Sequence, residues 1–417
     1  VFIPKRWLTA GAAAAIGLLC LSLAAGRWAP QPAAVWVPLE PGPGLRYLDG
    51  YTAGPAIRAG AAILIEAETG TVLFAHNEHE RRPMASTTKI MTALLALENA
   101  ALHEEATVSA QAVRVAGSDA GLRPGQRLTV LELLHGLLLP SGNDAANVLA
   151  EHVAGSQDAF VNLMNARAQE LGASRTRFAN AHGLDAPDHY STAYDLALLA
   201  RAAIRYPTFS QIVGTPVFQP QSISRTWRNT NQLLWSFEGI EGIKTGTTSG
   251  AGYCLVAAAS RSGMRLIAVV LGSPDRYGDT VRLLEYGFDR FHLLTLASHG
   301  SMLAEVPVPG GLGRLQAVVD GDFRIVARDE DINRLQVRLV LGDVHPPIRA
   351  GQPVGRLEVV AGPGAPDGAT RSPSGSGEAA PDVSPRALAH VPLFARAHVP
   401  RWTPLGALWR WLGERLP

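Results

Sequence analysis

The chain has 417 residues, 47% of them hydrophobic and 18% charged, an ordinary globular composition long enough for two or three domains and a sizeable core. Its formal net charge of +1 excludes a general polyanion binder, so no nucleic-acid partner is expected. Of 37 basic residues only Lys5, Lys89 and Lys244 are lysines, which matters because an arginine cannot give up its proton and act as a base.

The chain begins with Lys5 and Arg6 ahead of an apolar run, Leu8 to Ala25, that stops at Gly26-Arg27. Ser22 and Ala24 suit a signal-peptidase cut after Ala24, giving a signal peptide over 1–24. The alternative is an uncleaved membrane anchor, and both readings export the bulk of the chain. No lipobox-like residues precede Cys20, and its removal would leave Cys254 alone, without an intrachain disulfide. Cys254 lies in the apolar run Tyr253 to Ala259 and reads as a buried strand residue rather than a catalytic thiol. Residues 25–55, rich in Pro, Ala and Gly, read as a linker.

Ala61 to Ala67 and Val72 to Ala75, separated by Glu68-Thr69-Gly70, predict a strand hairpin. A helix starts near Ser86, with Ile90, Met91, Leu94, Leu95 and Leu97 as its apolar stripe. Further helices are predicted over Val130 to Leu139, Asp144 to Val153, Ala159 to Leu171 and Ala193 to Ile204. Three apolar runs then predict strands: Gly239 to Thr245, Gly252 to Ser260 and Arg265 to Gly272. Arg261-Ser262-Gly263 turns the second into the third, and Thr280 to Phe291 reads as a closing helix. Strands at both ends of a helical stretch imply a sheet assembled from distant parts of one domain, 56–293.

Short β-like pieces separated by Gly and Pro predict a small all-β domain over 295–361. Residues 362–400 are rich in Pro, Gly, Ser and Ala and read as a flexible tether. In the last segment, 401–417, Trp402, Leu405, Leu408, Trp409, Leu412 and Leu416 share a helical arc of about 120°. From Arg386 onward there are five Arg and one Glu, so this helix suits an anionic membrane surface; the alternative is docking on its own protein.

Three motifs carry chemistry. In Ser86-Thr87-Thr88-Lys89, at a helix start, a spacing of three puts hydroxyl and amine on one face, where a deprotonated lysine could activate the serine. Ser141-Gly142-Asn143, in the break between two helices, offers a proton shuttle and an amide for a substrate carbonyl. Lys244-Thr245-Gly246-Thr247, on a strand, offers a cation and hydroxyls for a carboxylate, and its glycine lets a ligand approach the backbone. Each is weak or moderate alone, but they occur in the order of the serine-active penicillin-recognising enzymes, each on its expected element. The only lysines beyond the signal segment are the two in these motifs.

With those residues in view, the chain resembles the low-molecular-mass penicillin-binding proteins of the D-alanyl-D-alanine carboxypeptidase type over about residues 56–293. The strings Arg82 to Thr92, Ala181-His182-Gly183-Leu184, Ser191 to Asp195 and Gly239 to Gly246 carry the likeness. Ala350 to Gly355 resembles the family's C-terminal β domain, and the amphipathic tail its membrane anchor. The resemblance implies an α/β catalytic domain, an antiparallel sheet with helices on both faces and a helical subdomain. It also implies a cofactor-free, metal-free acyl-enzyme mechanism on peptidoglycan stem peptides ending in D-Ala-D-Ala, with β-lactams as covalent inhibitors. Ser86 would attack, Lys89 take its proton, and the amides of Ser86 and Thr247 form the oxyanion hole. Lys244, with the Thr245 and Thr247 hydroxyls, would bind the terminal carboxylate; Ser141 would relay a proton and Asn143 hold the peptide. Thr247 departs from the family, whose members often carry His or an aromatic residue there. His182 is expected to make a structural hydrogen bond and Asp144 to cap a helix.

Other readings compete. A β-lactamase with a deacylating Glu four residues before an Asn finds no such pair between Asn143 and Lys244. Endopeptidase or transpeptidase activity would use the same acyl-enzyme. A non-catalytic wall-binding or antibiotic-sensing protein would have no use for the intact Ser86, Lys89, Ser141 and Lys244.

Overall fold

The structure is a computed structural model that describes residues 45–47, 54–361 and 387–403. The expected signal peptide, most of the linker, the tether up to residue 386 and the tail beyond residue 403 lie outside the described residues.

The described chain opens with β1 (Arg46–Tyr47), β2 (Ala61–Glu66) and β3 (Thr71–His76). A 3-10 turn at Ala85–Thr88 leads into α1 (Lys89–Asn99). A small ribbon of β4 (Glu105–Thr107) and β5 (Arg127–Thr129) precedes α2 (Val130–Leu138), α3 (Asn143–Ala154), α4 (Gln157–Glu170), α5 (Ala193–Ala203) and α6 (Pro207–Val213). A second ribbon, β6 (Val217–Phe218) with β7 (Trp227–Arg228), is followed by the long strands β8 (Ile240–Thr248), β9 (Gly252–Arg261) and β10 (Met264–Ser273), and by α7 (Arg276–Arg290).

The main sheet has the order β1-β3-β2-β10-β9-β8, so the first strands of the chain pair with strands from the far side of the helices. β2 and β10 run antiparallel, Ile65 opposite Ile267 and Ile63 opposite Val269. Every residue of β2 is buried, because both faces of the sheet are covered. Ile63, Ile65, Val256, Ile267 and Val269 join the core of α1, α2, α3 and α5, whereas Ala62, Leu64, Leu266 and Ala268 pack under Leu283 and Leu284 of α7. Truncating one of these isoleucines to alanine costs about 2–5 kcal/mol. β8 lies at the sheet's edge, where its outer side faces the 3-10 turn.

Some expectations need correction. The sheet is mixed, since β1, inside the expected linker, pairs parallel with β3 through Arg46–Thr71 and Tyr47–Val72. The closing helix starts at Arg276 instead of Thr280, because the Asp275 carboxylate caps it by accepting from the Gly278 amide. α6 was not foreseen, although a proline at its first position is a helix-start signal.

Beyond α7 the chain is β-rich. β11 (Phe291–Ala297) pairs with β14 (Phe323–Arg328), while β12 (Met302–Pro307), β13 (Arg314–Val319), β15 (Leu335–Leu341), β16 (Pro353–Ala361) and β17 (Ala387–Ala395) form a five-stranded sheet, β12-β13-β17-β16-β15. β11 spans the boundary expected between 293 and 295, since Phe291 is buried against the Tyr286 ring at the helix end. β17 lies inside the expected tether. Leu393 and Ala395 alternate inward there, and Pro392 is tolerated because β13 pairs only as far as Leu393. The expected tail helix does not begin at Arg401: Arg401 bridges to Gly311 and the Trp402 amide donates to the Gly310 carbonyl. Among the described residues no helix is long and apolar enough to cross a membrane.

Candidate active site

Ser86 sits in the 3-10 turn, one residue after Ala85, whose φ of +48° lies in the left-handed region that alanine rarely enters. That strain persists because the turn is tied from several sides. The Thr88 hydroxyl donates to the Ala85 carbonyl at 2.8 Å and meets His189 Nε2 at 2.9 Å. His189 Nδ1 accepts from the Ala179 amide at 3.0 Å, so the ring proton resides on Nε2 and donates to Thr88. Burial, opposed by Asp185 and aided by Lys89, lowers the His189 pKa to about 4 and keeps the ring neutral. Gly183, at φ +93°, packs so closely that a Cβ there would lie 2.1 Å from the Ala85 carbonyl oxygen and 2.9 Å from the Ser86 nitrogen.

Lys89 opens α1 and is completely buried. Its Nζ lies 2.9 Å from Ser86 Oγ, 2.7 Å from Asn143 Oδ1 and 2.5 Å from the His182 carbonyl oxygen. Burial, then the charge of Lys244, hold its pKa well below the usual lysine value, with Asp144 opposing. The two carbonyl oxygens can only accept. A neutral amine has two N–H bonds and one lone pair, so both N–H bonds are claimed and the lone pair is left for the Ser86 hydroxyl.

The second motif occupies the bend between α2 and α3. Ser141, at φ +67°, is buried there, and the Gly142 and Asn143 amides donate to the Gly136 and Ser118 carbonyls. Asn143 therefore enters the site rigidly, with Oδ1 on Lys89 and Nδ2 donating to the Ala116 carbonyl at 2.7 Å. Asp144 does not cap the helix as expected. The cap position is Gly142, and the Asp144 carboxylate accepts from the Ala145 amide in the first turn and from the Ala120 and Leu122 amides, clasping the preceding loop to α3.

The third motif lies on β8. A Cβ on Gly246 would come within 3.0 Å of Ala85 Cβ and 3.1 Å of the Ser86 nitrogen, so this glycine lets the strand edge reach the serine's turn. Lys244 is buried, and among the described groups its ammonium donates only to the Thr245 carbonyl, at 3.0 Å. Burial and the nearby Arg276 lower its pKa to about 7. The Thr245 hydroxyl pairs with that of Thr230 at 2.6 Å, while Thr247 is exposed at the cleft edge.

Arg276 escaped the sequence reading. The first residue of α7, it donates to the Gly246 carbonyl at 3.0 Å and to Thr247 Oγ1 at 2.8 Å, adding a second cation beside Lys244. One arginine among 34 carries no signal of its own; only the return of the chain after β10 brings it to the cleft. His182 makes the structural bond expected, its Nδ1 accepting from the Leu184 amide at 3.2 Å. Burial, the charge of Lys89 and His189 lower its pKa to about 4. Cys254 is buried, and desolvation pushes its thiol up to about 11, which leaves it unreactive.

Ser86, Lys89 and Asn143 are thus joined directly, Gly246 abuts the serine, and Lys244, Thr247 and Arg276 gather cationic and hydroxyl donors beside them. The chain is similar to known proteins in sequence and in fold. A family model described as D-alanyl-D-alanine carboxypeptidase matches residues 50–275. The D-alanyl-D-alanine carboxypeptidase DacF of Bacillus subtilis is 35% identical over 316 residues, 72% of this chain and 81% of that protein. DacC of Escherichia coli is 41% identical over 257 residues, 58% of this chain and 64% of that protein. Among solved structures, penicillin binding protein 5 from Haemophilus influenzae superposes with a TM-score of 0.72 at 29% identity, covering 84% of this chain and all of that one. The Streptomyces K15 DD-transpeptidase gives 0.55 at 36% identity, covering 57% of this chain and all of that one.

Proposed function

The chain belongs to the D-alanyl-D-alanine carboxypeptidase family, and on that footing we propose that it removes the terminal D-Ala of peptidoglycan stem peptides through an acyl-enzyme on Ser86. The observation that carries the assignment of residues is the buried Lys89 amine 2.9 Å from Ser86 Oγ, with its other two directions taken by carbonyl oxygens.

In this mechanism Lys89 Nζ takes the hydroxyl proton as Ser86 Oγ bonds to the penultimate carbonyl carbon. The amides of Ser86 and Thr247 stabilise the oxyanion, a role supported by the close approach of Gly246 to the Ser86 nitrogen. Collapse breaks the C–N bond, and the proton held by Lys89 passes through the Ser141 hydroxyl to the leaving D-Ala nitrogen. Water then attacks the ester with Lys89 again as base, and Ser86 Oγ recovers its proton. Lys244 and Arg276, with the Thr247 hydroxyl, bind the terminal carboxylate; that anion would restore full protonation to a lysine whose pKa burial has lowered to about 7. Thr245 contributes through its hydroxyl and Asn143 through its amide, which fixes Lys89.

The proposal extends to location. The apolar segment over 1–24 is taken as an export signal and the 401–417 segment as a peripheral membrane anchor, which would set the enzyme on the outer face of the cytoplasmic membrane. Penicillin closes the test of the chemistry: after treatment, peptide mapping should find the penicilloyl adduct on Ser86, and pentapeptide incubation should release D-Ala. An adduct elsewhere in folded protein would refute the assignment.

A further inference from the structure

Arg276 has a long side chain with several rotatable bonds, and to meet a carboxylate it must be held in one place. The usual way to fix an arginine is an acidic partner, but an ion pair would also neutralise the charge the cleft needs. Among the described residues no carboxylate pairs with Arg276. Asp279, three residues along α7 and well spaced for such a pair, gives its oxygens to the Ser273 hydroxyl and to Arg282. Asp275, the preceding residue, caps α7 through the Gly278 amide and also faces Arg282.

Two aromatic rings stand where that partner would be. The Arg276 guanidinium carbon lies 5.3 Å from the ring centroid of Tyr253 and 5.0 Å from that of Tyr277, both within cation–π range. Tyr253 is directly opposite Thr247 in the β8–β9 ladder, so the two side chains share a face of the sheet at the cleft edge. Its chain neighbour Cys254 is fully buried, yet Tyr253 is 49% exposed. The Tyr277 ring is itself pinned, its hydroxyl donating to the Thr230 carbonyl at 3.0 Å. Thr230 in turn meets the Thr245 hydroxyl of the third motif.

Ring faces take up none of the guanidinium's five N–H groups. Nη1 spends its two on the Gly246 carbonyl and Thr247 Oγ1, and Nη2 approaches only the Tyr277 hydroxyl, at 3.5 Å. The Nε–H and one Nη2–H are left, and these form the edge that grips a carboxylate with two parallel bonds.

We propose that Tyr253 and Tyr277 are positioning residues, whose ring faces hold the Arg276 guanidinium in place for the substrate's terminal carboxylate without neutralising it. The proposal rests on the carboxypeptidase reading above and deepens it, since it says how the second cation of the carboxylate site is kept both fixed and charged.

The test is made on Tyr253, whose hydroxyl makes no hydrogen bond among the described residues, so that the ring face is what a substitution removes. D-Ala release from a peptide ending in D-Ala-D-Ala is measured for wild type, Tyr253→Leu and Tyr253→Phe, and for Tyr253→Leu combined with Arg276→Gln. The carboxylate is present before and during the reaction, so losing its grip weakens both states alike and moves KM instead of kcat. Tyr253→Leu should raise KM about three-fold, the scale of one exposed cation–π contact, with kcat unchanged. Tyr253→Phe, which keeps the ring, should restore the wild-type KM. In the Arg276→Gln background Tyr253→Leu should add nothing, because the group it positions is gone. A KM unmoved by Tyr253→Leu, a fall in kcat in its place, a rise shared equally by Tyr253→Phe, or the same rise without Arg276 overturns the proposal. If the wild-type protein releases no D-Ala, it is the carboxypeptidase reading that fails. The same variants are then compared by the second-order rate of Ser86 acylation with a fluorescent penicillin, which also carries a carboxylate. The same pattern among the variants supports the positioning role, and equal rates or no acylation overturn it.

Discussion

Gly183→Ala isolates the contact that positions the nucleophile. The new Cβ would fall 2.1 Å from the Ala85 carbonyl oxygen, against an ordinary contact of 3.4 Å or more, so the Ala85–Ser86 peptide must retreat by about 1 Å. That peptide carries the Ser86 amide, and a misplacement of about 1 Å costs on the order of 10²-fold in rate. The φ of +93° adds a backbone cost of about 1–3 kcal/mol in stability. Gly155→Ala is the control: its φ is +76° at the end of α3, but nothing lies within 4 Å of its Cβ. It should lose stability by a similar amount and acylate normally. Stopped-flow acylation by a fluorescent penicillin, with thermal unfolding of each variant, separates the two costs. A folded Gly183→Ala protein that acylates at the wild-type rate would falsify the idea that this glycine sets the position of the serine's turn.

Lys89→Arg should slow acylation by at least about 10²-fold, because a guanidinium cannot accept the proton. Lys244→Arg should keep measurable acylation while weakening substrate binding, and equal residual rates in the two folded variants would remove Lys89 as the base. The two buried histidines give a pH signature: unfolded His takes up a proton near 6.5 but folded His182 and His189 delay it to about 4, so their contribution is complete above 6.5 and is lost as pH falls toward 4. Denaturant titrations should show that loss reduced in His189→Gln, and an unchanged pH slope would mean that His189 does not contribute. Deleting residues 401–417 should release active enzyme from anionic vesicles; if truncated and full-length proteins partition alike, the anchor proposal is wrong.

The nucleophile, its lysine and the β8 motif were legible because their spacing alone sets their local geometry. Ser86 and Lys89 need only one helical turn, and Lys244 to Thr247 only one strand. What was not legible depends on distant returns of the chain. Arg276 reaches Gly246 across a hairpin and a helix start, and Asp185 meets the end of β8 by accepting from the Thr248 hydroxyl and the Gly250 amide. Asp144 looked like a cap because it stands in the first turn of α3, but the carboxylate was drawn to unpaired amides at Ala120 and Leu122. β17 was hidden by composition, a proline and small residues masking a short inward alternation.

The pairing of β2 with β10 also governs when the protein can become itself. Ala61 finds Leu271 only after on the order of 200 intervening residues have been made, so the loop must close before the sheet rewards it. Until then β2, apolar on both faces, has a hairpin partner on one side and an open edge on the other. β8, the edge strand that carries Lys244, joins the same sheet through β9. A chain truncated before β10 would therefore be both inactive and prone to aggregation, and folding speed here should be limited by topology rather than by helix formation.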